Sequence, residues 1–72
     1  MTYYQEQIKK EAIRQGYLGV DPRHVQAWML LQHDTLDGLS SAQFAREVRI
    51  GIICIKHDGT EASERLAQSY GM

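Results

Sequence analysis

The side chains best suited to metal binding or acid–base catalysis are three histidines and the aspartates that follow two of them. They are His24, His33, Asp34, His57 and Asp58. Adjacent residues on a helix point about 100° apart, so neither His-Asp pair makes a good chelate by itself. No HxxxH or HExxH spacing is present. We therefore expect no metal and no cofactor, and we expect the histidines to be exposed at helix ends.

Nucleophilic catalysis finds no better support. Cys54 lies inside the most apolar segment, where a thiol is most often an inert core residue. Ser40 and Ser41 are explained by helix capping. The glycines match neither a P-loop nor a GxGxxG turn. Short helices also leave no room for a pocket of several hundred Å³. The sequence thus predicts that the protein is not an enzyme and has no small-molecule substrate.

Composition describes an ordinary globular chain with a small core. Of its 72 residues, 43% are apolar and 24% are charged, and the net charge is −1. We predict one helical domain over residues 1–72, small enough that association with a partner is favoured. Dedicated nucleic-acid binders usually carry a basic excess, so the charge balance makes nucleic acid an unfavoured partner.

Cysteine usage and hydropathy bear on the cellular compartment. Cys54 is the only cysteine and cannot form an internal disulfide, which fits a reducing cytoplasm. The N-terminal residues lack the basic start and apolar run of a signal peptide. The longest wholly apolar run, Ile52 to Ile55, is far too short to span a bilayer. We expect a cytoplasmic protein with no membrane partner.

Capping signals and apolar periodicity predict the first two helices. Thr2 is a plausible N-cap, and Gly16 supplies the C′ position that ends a helix over about residues 2–15. Asp21-Pro22 is the clearest start signal, since Asp caps free N–H groups and Pro fits the first helical position. Helix 2 follows and fades at residues 33–34.

Helix 3, at about residues 40–57, is predicted to be the central element. Ser40 and Gln43 have capping-box spacing. One stripe then carries large apolar side chains, namely Phe44, Val48, Ile52 and Ile55, while other faces carry Ile50, Ile53 and Cys54. A helix that is apolar on several sides is usually contacted all around.

A β-strand over residues 48–55 is the alternative, because the segment is rich in β-branched residues. We favour the helix, since no second strand candidate exists to satisfy the backbone hydrogen bonds. Asp58 or Thr60 is expected to cap helix 4, where Ala62, Leu66 and Tyr70 form a stripe that repeats every four residues. The predicted fold is an all-α compact bundle of about four short helices.

Aromatic residues are the best candidates for a partner interface, because Trp and Tyr are enriched at interface hot spots. They are Tyr3, Tyr4, Trp28 and Tyr70. Core packing is the more ordinary role for Trp28, and core and interface are equally reasonable for the three tyrosines. The favoured function is a protein-interaction module or adaptor, with a homodimer or another protein as its partner.

DNA binding through a degenerate helix-turn-helix is the second reading. Residues 41–48 look like the first helix of that motif. The segment that would then read DNA is too apolar to face a groove. This alternative predicts that Arg46, Arg49 and Lys56 form one exposed basic face.

Three segments together resemble a pattern in small all-helical bacterial proteins, some of them carried by prophages and plasmids. The segments are residues 18–25, 35–40 and 44–48. They cover capping and core positions, which specify a fold. The resemblance implies a bacterial or mobile-element source and transfers no functional residue.

Overall fold

A computed structural model describes all 72 residues, which form four α-helices and no strand. The helices are α1 (Tyr3–Arg14), α2 (Pro22–Gln32), α3 (Ser41–Asp58) and α4 (Thr60–Ser69). The all-α prediction is confirmed. The strand alternative is wrong, because residues 48–55 continue α3 with its local hydrogen bonds. None of the four helices combines the length and the apolar character needed to cross a membrane.

The first three helices begin where the capping signals place them. Thr2 and Ser40 each form a complete capping box with the glutamine three residues later. Asp21 caps α2 through Oδ1, which accepts a hydrogen bond from the Arg23 N–H at 2.9 Å. These contacts are local in sequence, and they satisfy N–H groups that the first helical turn leaves free.

The junction between α3 and α4 differs from the prediction. Neither Asp58 nor Thr60 caps α4, because Asp58 is the last residue of α3 and Thr60 is the first of α4. Gly59 alone joins the two helices, with φ 93° and ψ 162° and no side-chain cap. L-amino acids with a side chain rarely adopt that conformation, so glycine permits the abrupt change of direction.

α2 and α3 form the central pair of the bundle. Each packs against all three other helices, whereas α1 and α4 do not pack on each other. Met72, which follows α4, reaches α1, where its Sδ accepts a hydrogen bond from Gln5 Nε2 at 3.7 Å.

Val48 and Ile52 of α3 are fully buried, and Phe44 and Ile55 are partly buried against the same core. α3 is therefore central as predicted, but it shares that position with α2. Its outer face is not covered, since Ile53 is 55% exposed.

Close packing of α2 on α3 depends on a glycine. A Cβ atom placed on Gly51 would lie 3.1 Å from Val25 Cγ1 and 3.2 Å from the Val25 carbonyl oxygen. Both residues are buried. A residue of weak helix propensity therefore stands in mid-helix because its missing side chain lets the two backbones approach.

The buried face of α4 is rotated by one residue from the predicted stripe. Ser63 and Ala67 are fully buried, whereas Tyr70 is 42% exposed. The Trp28 indole N–H donates to Ser63 Oγ at 3.0 Å, and that hydroxyl donates to the Gly59 carbonyl at 2.8 Å. A contact between α2 and α4 thus accounts for the register, because the buried Ser63 hydroxyl needs partners and finds them in the Trp28 indole N–H and the Gly59 carbonyl.

Candidate functional site

A cluster of polar side chains joins the start of α2 to α4. Asp21 and His24 are three residues apart, which places them on one side of the first turn of α2, and Glu64 reaches them from α4. His24 Nε2 lies 2.9 Å from Glu64 Oε1 and 3.6 Å from Asp21 Oδ2. His24 is only 4% exposed, so this imidazole is a buried group with two carboxylate neighbours.

Arg23 supplies the balancing positive charge. Its Nη2 lies 2.6 Å from Glu64 Oε1 and 3.1 Å from Asp21 Oδ2, and its Nη1 donates to the carbonyl oxygen of Met72 at 2.9 Å. The hydrogen bonds from Arg23 and then from His24 lower the pKa of Glu64 to about 2. Glu64 is therefore ionised at neutral pH.

This cluster is the group of side chains best able to hold a metal ion. The ligand atoms of Asp21, His24 and Glu64 all lie within 4.8 Å of one another. The expectation of exposed helix-end histidines is wrong for His24, which lies at the start of a helix and is buried. Glu64 is 40 residues from His24 in sequence, so the grouping was invisible without the fold. The Asp-x-x-His spacing was the one local signal.

The other histidines stay nearer to the prediction. His57 is 85% exposed at the end of α3, where its Nδ1 lies 3.7 Å from Asp58 Oδ1. His33 ends α2, and its Nε2 lies 3.1 Å from Glu47 Oε1 of α3. Neither joins a group of three potential metal ligands.

Burial, and to a lesser degree the Asp58 charge, raises the pKa of the Cys54 thiol, which makes Cys54 a poor nucleophile at neutral pH.

Four exposed residues follow one line along α1, and we call them the outer stripe of α1. They are Tyr3, Glu6, Lys10 and Ile13. Their spacing of three, four and three residues keeps them on one side of the helix, opposite the buried Ile8 and Ala12. Tyr3 is 71% exposed and Ile13 is 51% exposed. The stripe thus has an apolar residue at each end and a pair of opposite charges between them.

An open cleft of about 440 Å³ runs beside this stripe. α1, residues 36–39 and the first turn of α3 form its walls, and its apolar lining residues are Tyr3, Tyr4, Leu36, Leu39 and Phe44. The expectation that no cavity of several hundred Å³ would exist is wrong. The long connection between α2 and α3 forms a third wall that two helices alone could not provide.

The predicted interface aromatics separate into two groups. The rings of Tyr3 and Tyr4 meet edge to face, with centroids 5.4 Å apart, and the Tyr4 hydroxyl donates to Asp37. Both line the cleft. Trp28 is half-buried against α4, and Tyr70 is exposed just after α4. Neither of these two lines the cleft, so the four aromatics do not form one surface.

The three basic residues of the alternative reading are all exposed on α3. Arg46, Arg49 and Lys56 fall within about 80° of one another around the helix axis, because their spacing is three and seven residues. Lys56 Nζ lies 5.1 Å from the centroid of the Tyr17 ring, a cation–π contact within the chain. The exposed Ile53 lies between them on the same side.

The fold and these surfaces define a small all-α protein in which a polar cluster around the buried His24 joins two helices, and in which the first helix presents a stripe with apolar ends and two opposite charges between them. The chain matches no family model, no curated protein and no solved structure.

Proposed function

We propose that this chain is a non-enzymatic helical interaction module that pairs with a second copy of itself through the outer stripe of α1. The observation that carries the proposal is the order of residues in that stripe. Tyr3, Glu6, Lys10 and Ile13 read as apolar, acidic, basic and apolar along one exposed line. A two-fold interface must be complementary to itself, and this order has that property.

Antiparallel pairing of two α1 helices, centred on residue 8, makes the match. Glu6 then lies opposite Lys10 of the second copy, and Tyr3 lies opposite Ile13 of the second copy. Each contact occurs twice, because the two-fold axis repeats it. The pairing brings opposite charges together and removes two exposed apolar side chains per copy from water.

The cleft supports the same surface. Tyr3 stands at its edge, and Lys10 belongs to its lining as well as to the outer stripe. A tyrosine offers a rigid, largely apolar ring at low entropic cost, which suits it to an interface. Only 13 of the 72 residues are buried, and a core that small favours association.

Light scattering coupled to size exclusion tests the pairing. We expect a mass near twice 8.3 kDa at micromolar concentration. Tyr3→Ala should shift the protein toward monomer, whereas Tyr70→Ala, at an exposed tyrosine outside the stripe, should leave the dimer intact. A monomer for the unmodified chain at this concentration contradicts the proposal.

A charge exchange tests the register of the pair. Glu6→Lys and Lys10→Glu should each weaken the dimer, since each places like charges opposite one another. The double variant restores opposite charges and should restore the dimer. Failure of the double variant to recover, with both variants folded, would show that α1 does not pair in this register.

Nucleic-acid binding is the second candidate, favoured by the exposed line of Arg46, Arg49 and Lys56 on α3. The net charge of −1 and the engagement of Lys56 by Tyr17 weigh against it. Fluorescence anisotropy with a random duplex at about 50 mM salt is the test, because phosphate contacts weaken steeply as salt rises. Binding that Arg46→Ala and Arg49→Ala both reduce would support it, and no binding would remove it.

A cytoplasmic location and a bacterial or mobile-element source belong to the same proposal. The single thiol of Cys54, which is free and half-buried, supports a reducing compartment. Fractionation of host cells, with detection in the periplasmic or secreted fraction as the contrary result, tests the location.

A further inference from the structure

We propose that Asp21, His24 and Glu64 bind a divalent transition-metal ion, with Zn²⁺ the best fit, and that this ion would link α2 to α4. The site is separate from the outer stripe of α1. It uses the buried imidazole of His24 and one oxygen from each carboxylate.

The spacing of the three ligand atoms suits a small ion. Zinc bound tetrahedrally at about 2.0–2.2 Å from its ligands holds those ligand atoms about 3.4 Å apart. Here His24 Nε2 lies 2.9 Å from Glu64 Oε1 and 3.6 Å from Asp21 Oδ2. The third separation falls within the 4.8 Å that encloses the whole group. Side-chain shifts of about an ångström would complete the geometry.

The donor set selects the type of ion. One imidazole nitrogen with two carboxylate oxygens suits zinc and its neighbours, whereas calcium and magnesium prefer oxygen ligands alone. Di-iron helical bundles use a glutamate three positions before a histidine together with glutamates from facing helices. The set of Asp21, His24 and Glu64 has the same spacing and one such glutamate, with the N-cap Asp21 in the first position. Three protein ligands leave the fourth position of zinc to water.

The two ends of the cluster are already held in place. Asp21 uses Oδ1 to cap α2, which leaves Oδ2 turned toward His24. Glu64 is anchored on α4, and α4 packs directly against α2. The ligands therefore lose little freedom on binding, and preorganisation of this kind favours affinity.

Arg23 is the competitor for the site. Its Nη2 contacts Glu64 Oε1 and Asp21 Oδ2, the same two oxygen atoms that the ion would take. Its Nη1 also contacts Glu64 Oε2 at 3.3 Å and the Met72 carbonyl at 2.9 Å. The guanidinium can thus leave the ligand oxygens and keep its other partners. The ion and Arg23 Nη2 exclude each other, which lowers the affinity of the unmodified chain.

If Arg23 competes with the ion, removal of its charge should raise the affinity for zinc. An ion pair that only stabilises the fold would not produce that increase. Zinc is titrated calorimetrically into the unmodified chain and into Arg23→Gln. We expect one site in both, bound at least about tenfold more tightly in Arg23→Gln, because the variant removes the competing cation. A structural cluster predicts instead that Arg23→Gln loses stability and gains no affinity for zinc.

Ligand variants assign the site. His24→Gln and Glu64→Gln should each lower zinc affinity by tenfold or more, whereas His57→Gln, at the exposed His57–Asp58 pair, should leave it unchanged. His24 is buried, so circular dichroism first establishes whether its variant folds. If it does not, Glu64→Gln, whose side chain is 34% exposed, decides the matter alone.

Cobalt provides a spectroscopic readout that is independent of the calorimetric titration. Co²⁺ in place of zinc should give the visible absorption of a four-coordinate nitrogen and oxygen site, and Glu64→Gln should abolish it. Absence of saturable binding by the unmodified chain and by Arg23→Gln up to about 1 mM metal ion overturns the proposal. Binding that depends on His57 and not on Glu64 overturns it equally.

Discussion

Ile52 is 1% exposed and belongs to the core between α2 and α3. Ile52→Ala should lower the free energy of unfolding by about 2–5 kcal/mol, because it loses transfer energy and leaves a cavity. Arg49→Ala, on the exposed side of the same helix, should cost under about 0.5 kcal/mol. Urea denaturation followed by circular dichroism measures both. Equal stability of the two variants would contradict the burial of Ile52.

Glu64 makes the stability of the fold depend on pH. Its folded pKa is lowered from 4.5 to about 2, so its ionised form stabilises the fold above 4.5. That contribution is lost as the pH falls from 4.5 to about 2. As the pH is lowered through this window, the urea concentration at the midpoint of unfolding should fall for the unmodified chain. It should fall less for Glu64→Gln.

The matched control for this pH dependence is Glu61→Gln. Glu61 pairs with Arg65 on the same helix, but its side chain is 87% exposed. Ion pairs at such exposure contribute little. Its variant should keep the pH dependence of the unmodified chain. A flattened profile for Glu61→Gln and an unchanged one for Glu64→Gln would reverse the assignment.

Single residues show where sequence reasoning succeeds and where it stops. Thr2, Asp21 and Ser40 were recognisable as caps, because each cap is completed by a residue two or three positions away. His24 was misjudged, because Glu64 and the packing of α4 determine its environment. A partner 40 residues away leaves no trace in local spacing.

At the scale of elements, the close packing of α2 on α3 leaves little room for a side chain at Gly51. Gly51→Ala would add helix propensity, a gain of up to about 1 kcal/mol. The new Cβ would meet the Val25 carbonyl oxygen at 3.2 Å, and the hydrogen-bonded backbone of α2 can shift only a little. Overpacking typically costs about 1–3 kcal/mol, so we expect a net loss of stability.

Thermal denaturation of Gly51→Ala, with Arg49→Ala as the control on the same helix, measures this effect. A higher melting temperature for Gly51→Ala would mean that α2 and α3 are less tightly packed than the structure shows.

Local sequence signals predict where the helices lie along the chain better than they predict which helix faces are in contact. The apolar stripe and caps were enough to place α1, α2 and α3. The buried side of α4 was missed by one residue, because Trp28 selects Ser63 as its hydrogen-bond partner. The cleft beside α1 was missed as well, since it depends on where the connection of residues 33–40 comes to lie.

For the whole molecule, the arrangement of helices determines which parts can open alone. α1 and α4 each pack on the central pair and not on each other, apart from the contact of Gln5 with Met72 beyond α4. Each end helix therefore depends mainly on the central pair, and each can detach while the rest stays folded. Amide hydrogen exchange should be slowest in α2 and α3, with faster and separate opening of α1 and α4.

Ligands should then protect different ends of the molecule. Zinc at Asp21, His24 and Glu64 would tie α4 to α2, so its addition should slow amide exchange in α4 and leave α1 unchanged. Raising the protein concentration should do the opposite, because pairing through the outer stripe covers α1. A bundle that opened only as a unit would show all four helices responding together to either treatment. Exchange rates resolved by residue would thus report on each binding event through the helix that it holds closed.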